Sequence, residues 1–252
     1  MSDKAPMHAS YFCQANSRIA MANIIKRAAF KLMEKTLAEH ANVVDVRTWS
    51  PASMYEIDLY LPTVDMSKWK TIPRLKCKVD EFEYRDYTPA WWEAEKGICT
   101  LFVETGHNGA GSRWAQRVRS GDQLLVGPAH AAQLPPKPGK ILALADGSAL
   151  GHMLGLKQLT CAEEYPLEVA VVFQEDYQIP TLLRGENPEF EFIVKPEGTS
   201  LENLESWAQT KNLSDYSSIY IAGHIPMVRE LRKKLKSSAD PNTTIYAHGF
   251  WR

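Results

Sequence analysis

Between Ser17 and His40, Met21, Ile25, Ala28 and Leu32 recur at three- and four-residue intervals, with Arg and Lys between them. That period predicts an amphipathic helix, capped by Asn16 or Ser17. Its apolar stripe would pack on the body, and its basic side is better read as solvated than as membrane-bound. From residue 42 the pattern shortens. "VVDVRTW", "MYEIDLYL", "KCKVDEFEY", "ICTLFVET" and "DQLLVGP" are short, alternating or β-rich, and are punctuated by Pro, Gly and Ser. Such spacing predicts a small six-stranded antiparallel barrel over residues 42–137.

From Lys140 the pattern changes again. "KILALAD", "LEVAVVFQ", "EFEFIVKP" and "SSIYIAG" are nearly continuous apolar strands. A helical run over Ser148–Leu159 follows the first, and the basic amphipathic "MVRELRKKLKS" follows the last. Strands alternating with helices predict a parallel sheet covered on both faces, an α/β unit over residues 138–252. Pro135, Pro136, Pro138 and Gly139 make the junction a stiff linker. Residues 1–41 stand apart as a helical extension.

Composition narrows the function classes. The chain has 252 residues, 44% of them hydrophobic, and a net charge of −1, so no global field recruits nucleic acid. No apolar run reaches the roughly 20 residues that span a bilayer. The first residues lack the charged start and apolar block of a secretion signal, so a cytoplasmic location is expected. Cys13, Cys77, Cys99 and Cys161 form no CxxC pair, and no two histidines have metal-ligand spacing. No resident metal is expected, and the thiols should be reduced.

Two short stretches carry chemistry. "YRDYTPAWW", residues 84–92, puts a fixed cation, a flat aromatic ring and a hydroxyl at one strand end, stopped by Pro89. "GHNGAGSRWAQ", residues 106–116, has three glycines before Ser112 and then a short helix. Glycine lets backbone approach a ligand, and a helix start with Ser112 at its N-cap suits a phosphate. Together they fit a planar heterocycle joined to a pyrophosphate. His107 is either a ring contact or, more simply, a loop residue. His152, His224 and His248 read first as structural. Trp91 and Trp92 would either cap a ring or pack on the barrel. The basic run Arg229–Lys236 reads as a solvated helix face.

These stretches, in order and spacing, resemble the siderophore-interacting proteins, a branch of the ferredoxin–NADP reductase superfamily. "RDYT" resembles the flavin motif Arg-x-Tyr-Thr/Ser. "GAGSRWA" with "SGDQLLVGP", "ALADGSALGHM" and the ending "YAHGFWR" resemble three further landmarks of the branch. The resemblance runs from about Val43 onward. It implies FAD as cofactor, NADH or NADPH as electron donor and a ferric siderophore as acceptor. Arg85, Gly109, Gly111 and Ser112 would hold the pyrophosphate, with Trp114 in the same motif. Tyr87 and Thr88 would meet the isoalloxazine and are the expected catalytic positions. Asp146, Ser148 and Ala149 would form a turn at the flavin or the nicotinamide nucleotide. "AGHIPMV" would lie beside the nicotinamide, and Trp251 close to the flavin. The chain departs from the pattern at Ala90, where a second arginine is usual, at Thr105 for a histidine, and at Ala110 for a proline. Glu175 and Asp176, after the second apolar strand, would accept from ribose hydroxyls and repel a 2′-phosphate, which favours NADH. The alternatives are a flavin reductase serving another carrier such as ferredoxin, and a non-catalytic siderophore or flavin binder.

Overall fold

The computed structural model describes residues 39–251, together with Arg27 and Leu32, both helical. The rest of the expected N-terminal helix lies outside the described residues, but its last two positions do not belong to a helix. Strand β1 (Glu39–Thr48) starts at Glu39, because Glu39–Asn42 pairs antiparallel with Gln123–Val126 of β7 (Gln123–Pro128).

The first sheet has seven strands rather than six. The others are β2 (Met54–Tyr60), β3 (Leu75–Asp80), β4 (Glu83–Tyr87), β5 (Ala90–Glu93) and β6 (Ile98–Glu104), in the order β4-β3-β7-β1-β2-β6-β5. "KCKVDEFEY" is a hairpin, broken by a turn at Glu81 and Phe82, and the two tryptophans after Pro89 form β5. The edge strands β4 and β5 lie at opposite ends of the order but are separated by only Thr88 and Pro89. The sheet must therefore curl until its edges approach, which gives the barrel form. Leu75, Cys77 and Val79 alternate inward from β3 and meet Leu59, Leu101 and Val126. Helix α1 (Ala110–Arg117) adds Ala110, Trp114 and Ala115 to that core.

The second sheet is wholly parallel: β8 (Ile141–Asp146), β9 (Leu167–Phe173), β10 (Phe190–Val194), β11 (Ser218–His224) and β12 (Thr244–Trp251), in the order β10-β9-β8-β11-β12. All six residues of the central β8 are buried, as expected for a strand covered on both faces. Helices α2 (Leu150–Leu159), α3 (Thr181–Glu186), α4 (Ser200–Gln209) and α5 (Ile225–Ser238) pack around it. Met227, Val228, Leu231 and Leu235 seat α5, while Arg229, Arg232, Lys233 and Lys236 face solvent. No helix among the described residues is long and apolar enough to cross a membrane.

Helix α2 joins the two sheets. It begins after a one-turn 3-10 segment, Gly147–Ala149, rather than at Ser148. Gly151, Gly155 and Gln158 share one face at four- and three-residue spacing. A Cβ on Gly151 would lie 2.9 Å from the Thr88 carbonyl oxygen, and one on Gly155 3.1 Å from that of Pro89. Gln158 donates to the Trp92 carbonyl at 2.8 Å and accepts from the Trp92 amide at 3.2 Å. The helix thus rests directly on the backbone where the barrel's two edges meet. Trp49 adds a second contact, with its ring 5.7 Å from both Phe173 and Tyr177.

Candidate functional site

A cavity of about 540 Å³ opens beside this seam, within the range of about 300–1,000 Å³ usual for ligand sites. Arg85, Tyr87 and Thr88 line it from the end of β4. Gly109, Gly111 and Ser112 line it from the start of α1, and Ser148 from the β8–α2 turn. Trp251 closes it from the last strand. Eight of the eleven expected site residues therefore share one wall. Trp114, Asp146 and Ala149 do not line it. Trp114 is buried behind Tyr87, with ring centroids 5.6 Å apart. Ala149 is fully buried in the shared core. Asp146 is buried and fixes the turn, accepting from the Ser148 amide at 3.1 Å, the Ser148 hydroxyl at 2.5 Å and the His224 amide at 2.6 Å.

Local structure explains each position. Arg85 is exposed at the rim, donating to the Tyr84 carbonyl at 2.8 Å and pairing with Glu83 at 3.2 Å. Gly111 has no room for a side chain, because a Cβ there would overlap the Tyr87 hydroxyl. Burial pushes the Tyr87 phenol up, so it stays neutral. Ser112 is not the N-cap. The helix starts three residues earlier than a Ser112 cap would place it, with Gly109 as an extended cap, and the Ser112 Oγ is buried with no hydrogen-bond partner among the described residues.

His107 is more than a loop residue. Its ring stacks on Trp251 at 4.9 Å with an interplanar angle of 3°, and the His224 ring also stacks on Trp251, at 4.2 Å. The Trp251 indole donates to the Ser148 hydroxyl at 2.9 Å. Trp91 and Trp92 pack instead of lining the cavity, Trp91 against Phe102 and Trp92 against Trp69, each at 5.2 Å.

Among the wall residues that the motifs do not mark are Arg74, Glu104, His152 and Phe250. His152, expected to be structural, is 1% exposed and lines the cavity, its Nδ1 3.5 Å from the Thr88 hydroxyl. Burial holds it neutral, and burial with the Arg74 charge lowers His248 to about 4. The two rings lie 5.0 Å apart. Arg74 Nε and Nη2, His152 Nε2 and His248 Nε2 are buried without hydrogen-bond partners among the described residues. No motif marks these positions. Only the spatial meeting of β3's approach, α2 and β12 gathers them.

Buried polar atoms without partners cost stability until something satisfies them. The Arg74 nitrogens are donors, the Ser112 hydroxyl can donate or accept, and each histidine Nε2 does one or the other according to its tautomer, so the wall offers a ligand's acceptor atoms the Arg74 donors. Exposed Arg85 and the α1 start suit an anionic group, while Thr88, Tyr87, Phe250 and Trp251 suit a flat ring. A flavin dinucleotide has both parts.

No protein-family model and no curated protein matches the sequence. Solved structures do match. A siderophore utilization protein from T. fusca aligns over 85% of this chain and 92% of its own, with a TM-score of 0.65 and 19% identity. The siderophore-interacting protein of Aeromonas hydrophila aligns over 86% and 92%, with a TM-score of 0.65 and 14% identity. Phthalate dioxygenase reductase, described as a modular structure for electron transfer from pyridine nucleotides to a 2Fe–2S centre, aligns over 82% and 67%, with a TM-score of 0.66 and 13% identity. This chain therefore has the fold shared by siderophore-interacting proteins and by that reductase, a curled antiparallel sheet followed by a parallel α/β unit.

Proposed function

We propose that the chain is an FAD-dependent reductase that takes electrons from NADH or NADPH and delivers them to ferric iron held by a siderophore. One observation carries the reading. Arg85, Tyr87, Thr88, Gly109, Gly111, Ser112, Ser148 and Trp251 come from four separate stretches and meet on one cavity. The fold likeness to proteins that use or bind siderophores, and to a pyridine-nucleotide reductase, supports it. The barrel over residues 42–137 would be the flavin half, and residues 138–252 the nucleotide half.

When bound, FAD supplies the means to accept a two-electron hydride and release single electrons. This chain's residues bind and orient. Arg85 and the Gly109–Ser112 turn would grip the pyrophosphate, through a fixed charge and a helix start. Thr88 and Tyr87 would meet the ring, with Trp114 buttressing Tyr87 from behind. The Asp146–Ala149 turn, fixed by its three hydrogen bonds, would hold Ser148 and Trp251 at the cavity mouth. Little acid–base chemistry is required of the protein for the hydride step. Its work is to hold two rings face to face. One hydride carries two electrons, enough for two ferric ions, and leaves a proton. Ferrous iron is held less well by hard oxygen ligands, so reduction frees it. This would place the protein in iron uptake, in the cytoplasm.

The likeness to a reductase feeding an iron–sulfur centre favours one second reading, in which a carrier such as ferredoxin takes the electrons. The test is anaerobic. NADH should bleach the bound flavin, and a ferric hydroxamate or catecholate should restore its colour while a ferrous chelator traps the iron. Recolouring by ferredoxin alone would select the second reading. Bound flavin that no nucleotide bleaches would leave a passive binder.

A further inference from the structure

Glu104 ends β6 on the cavity wall, and the motif comparison assigns it no role. Protein surrounds its carboxyl, yet the residue keeps part of its surface open to the cavity. Its place is fixed by an absent side chain. A Cβ on Gly147 would lie 2.8 Å and 2.9 Å from the two Glu104 carboxyl oxygens, so Glu104 fills the space that any larger residue at 147 would take.

Its surroundings do not suit a negative charge. No lysine or arginine among the described residues pairs with it. Its recorded hydrogen bond is a long one, 3.5 Å from the Tyr177 hydroxyl, which is itself 2.9 Å from the Ser53 hydroxyl. Two other carboxyl groups face it: Asp146 from the β8–α2 turn and Glu175 from the segment after β9. His107 and His224 lie nearby, but both interact with Asp146 and stack on Trp251.

The two buried carboxyls are provided for unequally. Burial raises the Asp146 carboxyl too, but three hydrogen bonds, two of them from backbone amides, offset part of that rise and favour its charged form. Glu104 has no such set. Where two carboxyls crowd in a poorly solvated place, the less supported one keeps the proton. Burial, with Asp146 adding to it, pushes Glu104 up to about 8. At neutral pH it is a neutral acid with one O–H to give, on a wall that also carries the unsatisfied donors of Arg74.

We propose that Glu104, as the neutral acid, donates a hydrogen bond to a carbonyl oxygen or ring nitrogen of the isoalloxazine, so that flavin binding is coupled to holding one proton. This rests on the flavin reading of the cavity. Ionised Glu104 would offer only lone pairs and a negative charge to an acceptor-rich ring edge. Binding above the carboxyl's own midpoint must then take up a proton.

The test is FAD binding to flavin-free protein, followed by fluorescence and by calorimetry in two buffers of different ionisation enthalpy. For the native chain, the dissociation constant should weaken about tenfold between pH 7 and pH 9, with net proton uptake on binding near pH 9. Glu104→Gln keeps a donor that does not titrate. Its dissociation constant should stay near the native pH 7 value across that range, without the uptake. Native binding that is flat from pH 7 to 9 and takes up no proton overturns the proposal, whether or not the variant folds. So does a variant with unchanged pH dependence. Absence of FAD binding at every pH is a different result, because it removes the flavin reading and this inference with it.

Discussion

Replacing Gly151 with alanine tests the seating of α2 on the barrel seam, which fixes Thr88 in the cavity. In a helix the change adds up to about 1 kcal/mol of stability through backbone propensity alone. At Gly151 the new methyl would lie 2.9 Å from the Thr88 carbonyl oxygen, where ordinary contact begins near 3.4 Å. The opposing atom is backbone, so helix or seam must move by about half an ångström. Overpacking of that kind costs about 1–3 kcal/mol. Gly185 is the internal control. It is exposed in α3, and a Cβ there meets nothing within 4 Å. The propensity gain is similar at both sites, so the difference reports the contact. Urea unfolding of the two variants should place Gly151→Ala about 1–3 kcal/mol below Gly185→Ala, with unchanged slope. Bound FAD should weaken in the first variant only, because Thr88 shifts. Equal stability of the two variants would refute the close packing of α2 against Thr88.

Arg85→Ala should weaken FAD roughly tenfold to a hundredfold, the value of about 1.5–3 kcal/mol for a charge-assisted contact; titration of flavin-free protein measures it, and unchanged affinity in a folded variant removes the assigned role. Thr88→Val should leave FAD bound and slow flavin reduction by NADH, read by stopped flow, because shape is kept and the hydroxyl lost; an unchanged rate would make Thr88 a packing residue. The folded chain raises Glu104 from 4.5 to about 8, so it holds a proton that the unfolded chain releases. Stability from this group is complete below about pH 4.5 and is lost as pH rises through about 8, so Glu104→Gln should gain on the native chain over that window by a few kcal/mol, with constant relative stability as the contrary result. NADH should exceed NADPH in kcat/KM, because Glu175 and Asp176 follow β9, although Asp176 already lies 3.5 Å from Lys195; a clear preference for NADPH would reassign Lys195 or Arg184 as the phosphate partner.

The sheets were legible wherever period and punctuation agreed. β8, β9 and β11 are apolar runs with turn signals and appear within a residue or two of their expected limits. β12 was missed because His248 and Gly249 interrupt its β-rich pattern, and only pairing with β11 makes it a strand. α4 carries a local signal in its sequence, the Thr199–Glu202 capping box. The site was legible where backbone geometry dictates residue type. Of the glycines before Ser112, Gly111 is pressed against Tyr87 and leaves no room for a Cβ, while Gly106 and Gly109 have space for one. Arg74, His152 and Glu104 were invisible for the opposite reason. Each stands in an ordinary strand, helix or strand approach, and their chemistry arises from burial and from neighbours distant in sequence.

The account's central claim is that the cavity beside Thr88 holds a flavin that a pyridine nucleotide can reduce. The most direct measurement is a visible-spectrum titration of flavin-free protein with FAD in the absence of air, followed by one equivalent of NADH. Saturation at one FAD per chain, a shifted and sharpened flavin band, and bleaching by the nucleotide are the predicted results. A flavin spectrum that stays that of free FAD through the titration would contradict it.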